Sequence, residues 1–227
     1  GKKITAAMKN LGKEAVFVHG QRVTDPETMD VVARTLIDDI GNELIGYMEG
    51  IGGKAALLNG RDHGFLRAVK KGLPSHPEVD LQCVGEPVAI DSAAPLAMLE
   101  KHVVPLIAPV AKGVDGKARL YNINGDTAAS LIARELKAAK LVFLSDTDGI
   151  YRDINNPASL DSTIREGEVE GMIAGKVIAG GMIPKVTACI DAINEGVRKT
   201  HIINGYQPHS LLLEIFTTAG VGTEIVR

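Results

Sequence analysis

The sequence predicts an α/β protein, a three-layer αβα sandwich in which helices cover both faces of a mostly parallel sheet. Short apolar segments typical of strands alternate along the chain with amphipathic segments typical of helices. Apolar residues make up 45% of the 227 residues and aromatic residues only 4%, so the chain can bury a sizeable, mainly aliphatic core. The apolar segment 141–144 runs directly into a polar turn, as expected where a strand ends at a ligand site.

The composition excludes several classes of protein. The net charge of −3 provides no basic excess for a nucleic-acid binder that relies on phosphate contacts. The six histidines are scattered without metal-ligand spacing, and Cys83 and Cys189 lack the paired spacing of a disulfide framework. No apolar run reaches the length of a membrane span, and no signal peptide is visible. We therefore expect a reduced, cytoplasmic protein without a protein-held metal.

The first half of the chain is predicted to contain a short helix, a short strand at 15–18 and then a long helix. Thr24 or Asp25 is expected to cap the long helix, with Pro26 in its first turn, and helical spacing continues to about Glu49. The later elements of this half are strands at 54–58, 65–70, 79–90 and 103–110 and a helix at 93–101.

The second half is predicted to continue the alternation of helices and strands. Its elements are a helix at 127–138, a strand at 141–144, a helix from Pro184 to just before Gly196, a strand at 201–203, a helix at 209–217 and a strand at 224–226. The nearest feature to a boundary lies around residue 138, between two helix-linked halves. We therefore predict two lobes, residues 1–137 and residues 138–227.

The stretch Gly180-Gly181-Met182-Ile183-Pro184-Lys185 has the composition of a phosphate site. Two glycines let the backbone approach a ligand closely, and Pro184 suits the first position of a helix. Lys185 would then add a full positive charge to the free N–H groups and the dipole of the helix start. The same residues also fit an ordinary loop-to-helix junction with a solvated lysine.

Two further segments carry polar side chains next to predicted helices. Arg22 lies just before the long helix, where a carboxylate could meet both its guanidinium and the helix start, although a surface arginine fits the same position. Asn122, Asn124 and Asp126 alternate, so in extended chain they would face the same side. Asp126 also fits a simple N-cap, but that interpretation leaves the asparagines unexplained.

These residue types fit the requirements of phosphoryl transfer. The sequence contains no Walker loop, Rossmann fingerprint, nucleophile elbow or paired metal ligands. A lysine at a glycine-rich helix start, an aspartate and amide side chains can position a phosphoryl group and neutralise its charge. The arginine beside a helix cap indicates an anionic acceptor.

Together, the segments resemble the amino-acid kinase family, in order and over essentially the whole chain. The similar segments are Gly20-Gln21-Arg22-Val23-Thr24-Asp25, Asn122-x-Asn124-Gly125-Asp126, Leu144-Ser145-Asp146-x-x-Gly149-Ile150, Gly180-Gly181-Met182-Ile183-x-Lys185, and the C-terminal runs 208–214 and 220–223. Within this family, the Arg-Val-Thr and Gly-Gly-Met-x-x-Lys elements together are similar to those of members that phosphorylate an acylated glutamate.

The resemblance implies ATP-dependent phosphorylation of the γ-carboxylate of N-acetyl-L-glutamate, a step of arginine biosynthesis. It implies no general base, because the attacking group is already a carboxylate, and it implies Mg²⁺ that bridges the ATP phosphates with little direct contact to protein. The implied roles are acceptor binding by Arg22, Asn122 and Gly1, charge stabilisation by Lys185 oriented by Asp126, and nucleotide binding by Ser145, Asp146, Gly181 and Met182. The 1–137 lobe would hold the acyl amino acid and the 138–227 lobe the nucleotide.

One departure from the family pattern concerns the N-terminus. The family has a strand bearing Lys-x-Gly-Gly and a second strand ending in Gly-Gly-Gly, and Gly1 resembles the last glycine of that second motif. We therefore expect the natural protein to be longer and to carry the missing lysine. Two alternatives stay open: a kinase of a related acidic amino acid such as a carrier-linked aminoadipate, and a non-catalytic binding module that truly begins at Gly1.

The resemblance also implies a homodimer or hexamer, and in some members inhibition by arginine. The residues that match the inhibited pattern are His201, Glu214 and Gly220, with the Glu214 acid suited to a guanidinium. Each residue also fits a structural role: His201 as a solvated strand end, Glu214 as a helix-surface acid and Gly220 as a helix-ending glycine.

Overall fold

A computed structural model describes residues 1–18, 20–116, 119–217 and 220–227 of the chain. The chain divides into two compact units, Gly1–Ala128 and Ala129–Arg227. This division lies nine residues before the predicted boundary at 137/138, and it falls within a helix, Gly125–Glu135. The predicted assignment of acceptor and nucleotide to the two lobes stays a prediction.

The first unit combines strands and helices in alternation. Its strands are β1 Phe17–Val18, β2 Gln21–Arg22, β3 Ala55–Leu58, β4 Leu66–Lys70, β5 Gly85–Ile90, β6 Val104–Ile107, β7 Val110–Gly113 and β8 Leu120–Asn122. Its helices are α1 Lys2–Asn10, α2 Pro26–Ala33, α3 Asn42–Gly50 and α4 Ala93–Glu100, followed by α5 Gly125–Glu135.

The described strands of the first unit form a hairpin, a parallel pair and a mixed sheet. Strands β1 and β2 pair antiparallel, and β3 and β6 pair parallel. The mixed sheet has the order β5-β4-β7-β8, in which the central β4–β7 pairing is parallel and the outer pairings are antiparallel. An aliphatic cluster from α1, α2, the helical residues that directly follow α2, and β7 forms the core, with Ile4, Met8, Met29, Val32, Ile37 and Val110 as main members.

The predicted long helix is one helical run with a wider central portion. Asp25 caps it, Pro26 occupies its first position, and it continues through α2 and α3 to Gly50. Residues Arg34–Gly41 between them adopt π-helical geometry, which the sequence did not predict. The apolar spacing that predicts a helix does not distinguish 3.6 from 4.4 residues per turn over so short a segment.

The predicted strand at 103–110 is wrong, because this segment contributes to two strands. Residues Val104–Ile107 pair with β3, whereas Val110–Gly113 pair with β4 and β8. Pro109 lies between the two strands, and its nitrogen cannot donate a ladder hydrogen bond. The apolar run is thus continuous in sequence although the strand is not.

The second unit repeats the alternation around one mixed sheet. Its strands are β9 Lys140–Ser145, β10 Thr163–Arg165, β11 Lys199–Asn204 and β12 Thr223–Val226. Its helices are α6 Glu166–Ala174, α7 Met182–Asn194 and α8 Ser210–Phe216, and a 3₁₀ turn covers Pro157–Ser159. The sheet order is β10-β12-β11-β9, with β9 parallel to β11 and β10 parallel to β12.

The core of the second unit lies between this sheet and helices α6 and α7. Its fully buried members include Ile164, Ile178, Val186, Cys189, Ala192, Ile202 and Ile225. No disulfide joins Cys83 and Cys189, and both cysteines are buried. Over the ranges described above, no helix is long and apolar enough to cross a membrane.

Gly222 is expected to be required for the stability of the second unit. Its φ of +92° disfavours any side chain, and an added Cβ would lie 2.8 Å from the Asp148 carbonyl oxygen and even closer to that of Ile202. We expect Gly222→Ala to lower the free energy of unfolding by about 2 kcal/mol or more, measured by denaturant titration. The control Gly171→Ala lies in helix α6 with open space around it, and it should be neutral or stabilising by roughly 0.5–1 kcal/mol. Equal effects of the two substitutions would contradict this account.

Candidate active site

A cavity of about 700 Å³ lies in the second unit, where strand β9 ends and helix α7 begins. Ser145 and Asp146 line it from the end of β9, and Gly181, Met182 and Lys185 line it from the start of α7. The structure therefore brings the predicted nucleotide-binding residues to one cavity together with the predicted catalytic lysine. Its volume is in the range typical of small-molecule sites.

The start of helix α7 differs from the prediction in detail. The helix begins at Met182 with Gly181 as its N-cap, so Pro184 is its third residue and not its first. The difference has little energetic consequence, because the first four N–H groups of a helix have no partner within the helix. Gly180 has a φ of +56°, a value that glycine adopts without strain, and it turns the chain into the helix.

Lys185 is the fourth residue of α7 and is half-buried. Its Nζ lies 5.6 Å from the centroid of the Phe143 ring, a cation–π distance. Phe143 projects from β9, so the strand that carries Ser145 also holds the lysine.

The first unit holds the Arg22 guanidinium in a specific set of contacts. Its Nη2 donates hydrogen bonds to Thr5 Oγ1 at 2.9 Å and to the Gly1 carbonyl oxygen at 3.3 Å. The guanidinium carbon lies 4.6 Å from the centroid of the Phe17 ring. Arg22 is 8% exposed, so the alternative of a surface arginine is wrong. Burial lowers the pKa of Arg22, yet an arginine stays charged at neutral pH.

Asn122 is linked to the Arg22 segment through Thr24. The Asn122 amide donates to Thr24 Oγ1 at 3.2 Å, and Thr24 Oγ1 donates to the Arg22 carbonyl oxygen at 2.8 Å. Thr24 is fully buried. Arg22 and Asn122, two predicted acceptor-binding residues that are 100 positions apart, thus belong to one hydrogen-bonded group. Thr24 links them through its hydroxyl.

Asn124, and not Asp126, caps helix α5. The Asn124 side-chain oxygen accepts from the Thr127 backbone N–H at 3.0 Å. The predicted alternative in which Asp126 is the N-cap is therefore wrong, and helix α5 starts at Gly125 instead of Thr127. The half-buried Asp126 lies in the first turn of the helix.

Asp25 anchors the segment that carries Arg22 to the following helix. Its carboxylate accepts from the Thr28 backbone N–H at 2.6 Å and pairs with the Lys13 ammonium at 2.9 Å. The Thr28 hydroxyl, the Lys13 ammonium and the Thr28 backbone N–H together lower the pKa of Asp25 from 3.8 to about 2. The charged form of this cap is thus favoured in the folded chain.

We expect Asp25→Asn to reduce stability at neutral pH but not in strong acid. Asparagine caps as well as aspartate does, so the substitution removes only the charge. Because the folded-state pKa is below the unfolded-state value of 3.8, the charge stabilises above about pH 4, and this contribution is lost as the pH falls toward 2. The expected difference at pH 7 is a few tenths to about 1 kcal/mol, measured by urea unfolding from pH 7 to pH 2. The exposed residue Asp30, changed to Asn, is the control, and a difference that persists at pH 2 would contradict this account.

A second cavity in the second unit, of about 400 Å³, is lined by two of the three residues of the predicted arginine site, and the third, His201, lies behind Glu214. Glu214 and Gly220 line it, and the Glu214 carboxylate accepts from the Val221 backbone N–H at 2.8 Å. His201 Nδ1 lies 2.7 Å from Glu214 Oε1 without the alignment of a hydrogen bond. Gly220 has a φ of +61°, and an added Cβ would lie 3.0 Å from Glu214 Oε2.

The structural roles considered for two of these residues are wrong. His201 is 1% exposed and is not a solvated strand end, and the Glu214 side chain is 9% exposed and is not a helix-surface acid. Burial lowers the pKa of His201, although the neighbouring Glu214 carboxylate opposes this shift.

Metal-ligating residues are not clustered in the part of the chain described above, where no group of three or more His, Cys, Asp and Glu could hold a metal. Asp146 and Asp153 are the carboxylates that line the 700 Å³ cavity within that part of the chain.

Comparison with known proteins identifies relatives over the whole chain. The amino acid kinase family profile matches residues 1–204. The chain is similar to the acetylglutamate kinase of Pelotomaculum thermopropionicum, with 44% identity over 231 residues, 99% of this chain and 78% of the relative. It is likewise similar to the acetylglutamate kinase of Methanococcus aeolicus, with 42% identity over 232 residues, 100% of this chain and 78% of the relative.

The fold matches that of a solved structure as well. The N-acetylglutamate synthase of Neisseria gonorrhoeae, complexed with coenzyme A and L-arginine, aligns with a TM-score of 0.77 and 26% identity, over 98% of this chain and 51% of that chain. The predicted three-layer α/β fold is confirmed by this likeness and by the alternating strands and helices of both units. By profile, by sequence identity and by fold, the chain belongs to the amino acid kinase family.

Proposed function

We propose that the protein is an acetylglutamate kinase, which transfers the γ-phosphoryl group of ATP to the γ-carboxylate of N-acetyl-L-glutamate in arginine biosynthesis. The similarity to acetylglutamate kinases at 42–44% identity over 99–100% of the chain carries this proposal. In the reaction, a carboxylate oxygen forms a bond to the γ-phosphorus while the bond to the bridging oxygen breaks. The products are ADP and N-acetylglutamyl 5-phosphate, so no proton has to be removed from the nucleophile.

The first unit is proposed to bind the acceptor through Arg22, with Asn122 and Gly1 nearby. A guanidinium can hold a carboxylate through two parallel hydrogen bonds, and burial strengthens such a pair. Nη1 of Arg22 contacts the Met8 sulfur at 3.3 Å, a weak acceptor that a carboxylate oxygen would replace. The bonds of Nη2 to Thr5 and Gly1 orient the guanidinium before the substrate arrives, and a bidentate carboxylate would replace one of them as well as the Met8 contact.

The second unit is proposed to bind the nucleotide in the 700 Å³ cavity. Ser145 and Asp146 lie at the end of β9, and Gly181 and Met182 lie at a helix start, where backbone N–H groups and the helix dipole favour phosphate. Lys185 projects into the same cavity and would stabilise the charge on the transferring phosphoryl group. Asp126 would orient this lysine, as the family resemblance implies.

Mg²⁺ is proposed as a companion of ATP and not as a resident metal of the protein. It would bridge phosphate oxygens and neutralise part of their charge. Asp146 is the carboxylate nearest in sequence to the end of β9 that could contact such an ion or its water ligands. We further propose a cytoplasmic protein that assembles as a homodimer or hexamer.

A coupled ADP-release assay with a panel of acceptors tests the proposed reaction. N-acetyl-L-glutamate should give the highest kcat/KM, and N-acetyl-L-aspartate and N-acetyl-L-2-aminoadipate, one methylene shorter and longer, should be roughly 10–200-fold poorer. Hydroxylamine added to the reaction should trap the acyl phosphate as a hydroxamate. A preference for the aminoadipate compound would indicate the related kinase, and nucleotide binding without ADP release would indicate a non-catalytic module.

We also propose that L-arginine binds the 400 Å³ cavity beside Glu214 and His201. The N-acetylglutamate synthase of Neisseria gonorrhoeae was solved in complex with L-arginine, and this likeness supports the proposal of an arginine site in the present chain. The buried Glu214 carboxylate suits a guanidinium, and Glu224 adds a second acid to the cavity wall. Lys140 and Lys199 also line the cavity; Lys199 pairs with Glu224 at 2.7 Å, and Lys140 suits the carboxylate of the amino acid.

Arginine is therefore expected to raise the apparent KM for acetylglutamate, and Glu214→Gln should abolish this effect. The amide can still accept from the Val221 backbone N–H but has no charge for the guanidinium. Initial rates at 0–10 mM arginine measure the effect, a range chosen as roughly that of weak effectors. Glu170→Gln, an exposed residue of helix α6, is the control. Full activity of the unmodified enzyme at millimolar arginine would contradict the proposed site.

A further inference from the structure

A third cavity, of about 580 Å³, lies in the first unit beside strands β4 and β7. Among the residues that the structure describes, its charged and titratable lining consists of Arg61, Asp62, His63, Arg67 and Lys112, and glycine-containing turns line the rest. None of these residues lines the cavity around Gly1 and Arg22 in the same unit. The reaction proposed above makes no use of this second cationic cavity.

Arg67 and Lys112 are directly opposite each other in the parallel pairing of β4 and β7. Directly paired residues of neighbouring strands project from the same face, and both side chains are exposed there. Within the described ranges, neither side chain has a hydrogen-bonded or ion-paired partner. Like charges directly opposite each other on neighbouring strands are destabilising, and an anion bound beside them would offset this repulsion.

The third cation of the cavity is held rigidly in place. The Arg61 guanidinium forms two hydrogen bonds to the Asp38 carboxylate, at 2.6 and 2.9 Å, and its Nε donates to Asp62 at 2.8 Å. The fully buried Asn59 donates a hydrogen bond to the Asp62 carboxylate and accepts one from the Asp62 backbone N–H. These two bonds hold the 59–62 turn together. The Arg61 guanidinium therefore has defined partners, and its position in the cavity wall does not depend on a ligand.

A close backbone approach fixes this loop against strand β7. The Gly60 N–H donates to the Val110 carbonyl oxygen at 2.7 Å, and an added Cβ at Gly60 would lie 2.5 Å from the Lys112 nitrogen. Only glycine fits such an approach. The loop that carries Arg61 and His63 is thus seated directly beside the strand that carries Lys112.

We propose that this cavity binds a small multivalent oxyanion, such as a polyphosphate or a polycarboxylate. The charges of Arg61 are matched by Asp38 and Asp62, so the excess charge of the wall comes from Arg67 and Lys112. A guanidinium and an ammonium on one face can share the oxygens of one anion with at least two negative charges. The cavity volume is within the usual range for small ligands. The inference does not depend on the acetylglutamate reaction.

Isothermal titration calorimetry with pyrophosphate tests the proposal, in a Lys185→Gln background that weakens pyrophosphate binding at the nucleotide cavity without adding a competing polyphosphate. One saturable site per chain is expected, and Arg67→Gln and Lys112→Gln should each weaken it at least tenfold. Lys101→Gln removes the same charge from an exposed position outside the cavity and should leave the affinity within twofold of the original. Citrate should compete with pyrophosphate, whereas acetate at equal ionic strength should not.

Three results would overturn the proposal. The first is the absence of saturable binding, which would reduce the cavity to a solvated basic surface. The second is an equal loss in Lys101→Gln, which would show a nonspecific effect of net charge. The third is binding that survives both cavity substitutions, which would place the anion elsewhere. Circular dichroism of each variant without anion verifies folding, and because Arg67 and Lys112 are both exposed, the two substitutions provide independent tests.

Discussion

Lys185→Ala should lower the turnover number by a factor of about a hundred or more, the usual loss when one preorganised charge at a transferring group is removed. The KM for acetylglutamate should change much less, because the lysine acts mainly on charge that develops in the transition state. The position supports this expectation: Lys185 lies in the first turns of α7 and lines the same cavity as Ser145 and Gly181. Its contact with Phe143 limits the directions in which the ammonium can point.

Steady-state kinetics with both substrates varied measure this effect. Lys101→Ala, at an exposed position in the first unit, is the matched control and should retain normal turnover. Lys185→Arg keeps the charge with a different shape and should lose less activity than the alanine variant. Turnover of the alanine variant within about threefold of the original would remove Lys185 from the mechanism, since no catalytic charge stabilisation is worth so little.

The order of helices and strands was predictable because the spacing of apolar residues indicates which face of each element is buried. Strand β9 is an example: its run of apolar residues followed by Ser145 and Asp146 predicts both the strand and the polar turn at its end. The break at Pro109 was not predicted, because a run of apolar residues does not reveal which partner strand each part will join. Pairing partners are set by contacts that are distant in sequence.

The segment between the polar turn and helix α7 was the least predictable part of the second unit. Strand β10 has only three residues, and helix α6 contains Gly167 and Gly171 together with several acids, so its apolar periodicity is weak. Both elements become stable through tertiary contact: Ile164 pairs with Ile225 of β12, and Val169 and Met172 join the core. Local sequence preferences contain little of that information.

The sequence predicted which residues form the candidate sites, but it did not predict the contacts that these residues make. The sequence indicates Arg22 because an arginine precedes a capped helix, yet its bonds to Thr5 and Gly1 and its contact with Phe17 bridge separate segments. The same holds for His201 and Glu214, which are 13 positions apart and meet in the interior of the second unit. The excess charge of Arg67 and Lys112 likewise appears only once the register of β4 and β7 is known.

Arg22→Lys should raise the KM for acetylglutamate roughly tenfold to a hundredfold, the cost of one or two lost hydrogen bonds to a charged group. An ammonium cannot reproduce a bidentate guanidinium–carboxylate pair, and it cannot stack on Phe17 while donating to Thr5 as the planar guanidinium does. The charge is kept, so the loss isolates the geometry of the donor. The KM for ATP should change little, because the nucleotide-lining residues belong to the second unit.

Initial-rate kinetics with acetylglutamate and ATP varied in turn separate these two constants. Arg34→Lys is the matched control, since Arg34 is exposed in the π-helical turn and the same substitution there should leave both constants unchanged. Phe17→Leu provides an intermediate case: it removes the stacking surface but keeps the guanidinium, so the KM for acetylglutamate should rise by less than in Arg22→Lys. If ATP affinity fell in Arg22→Lys while acetylglutamate affinity did not, the proposed assignment would be reversed: the first unit would bind the nucleotide and the second unit the acceptor.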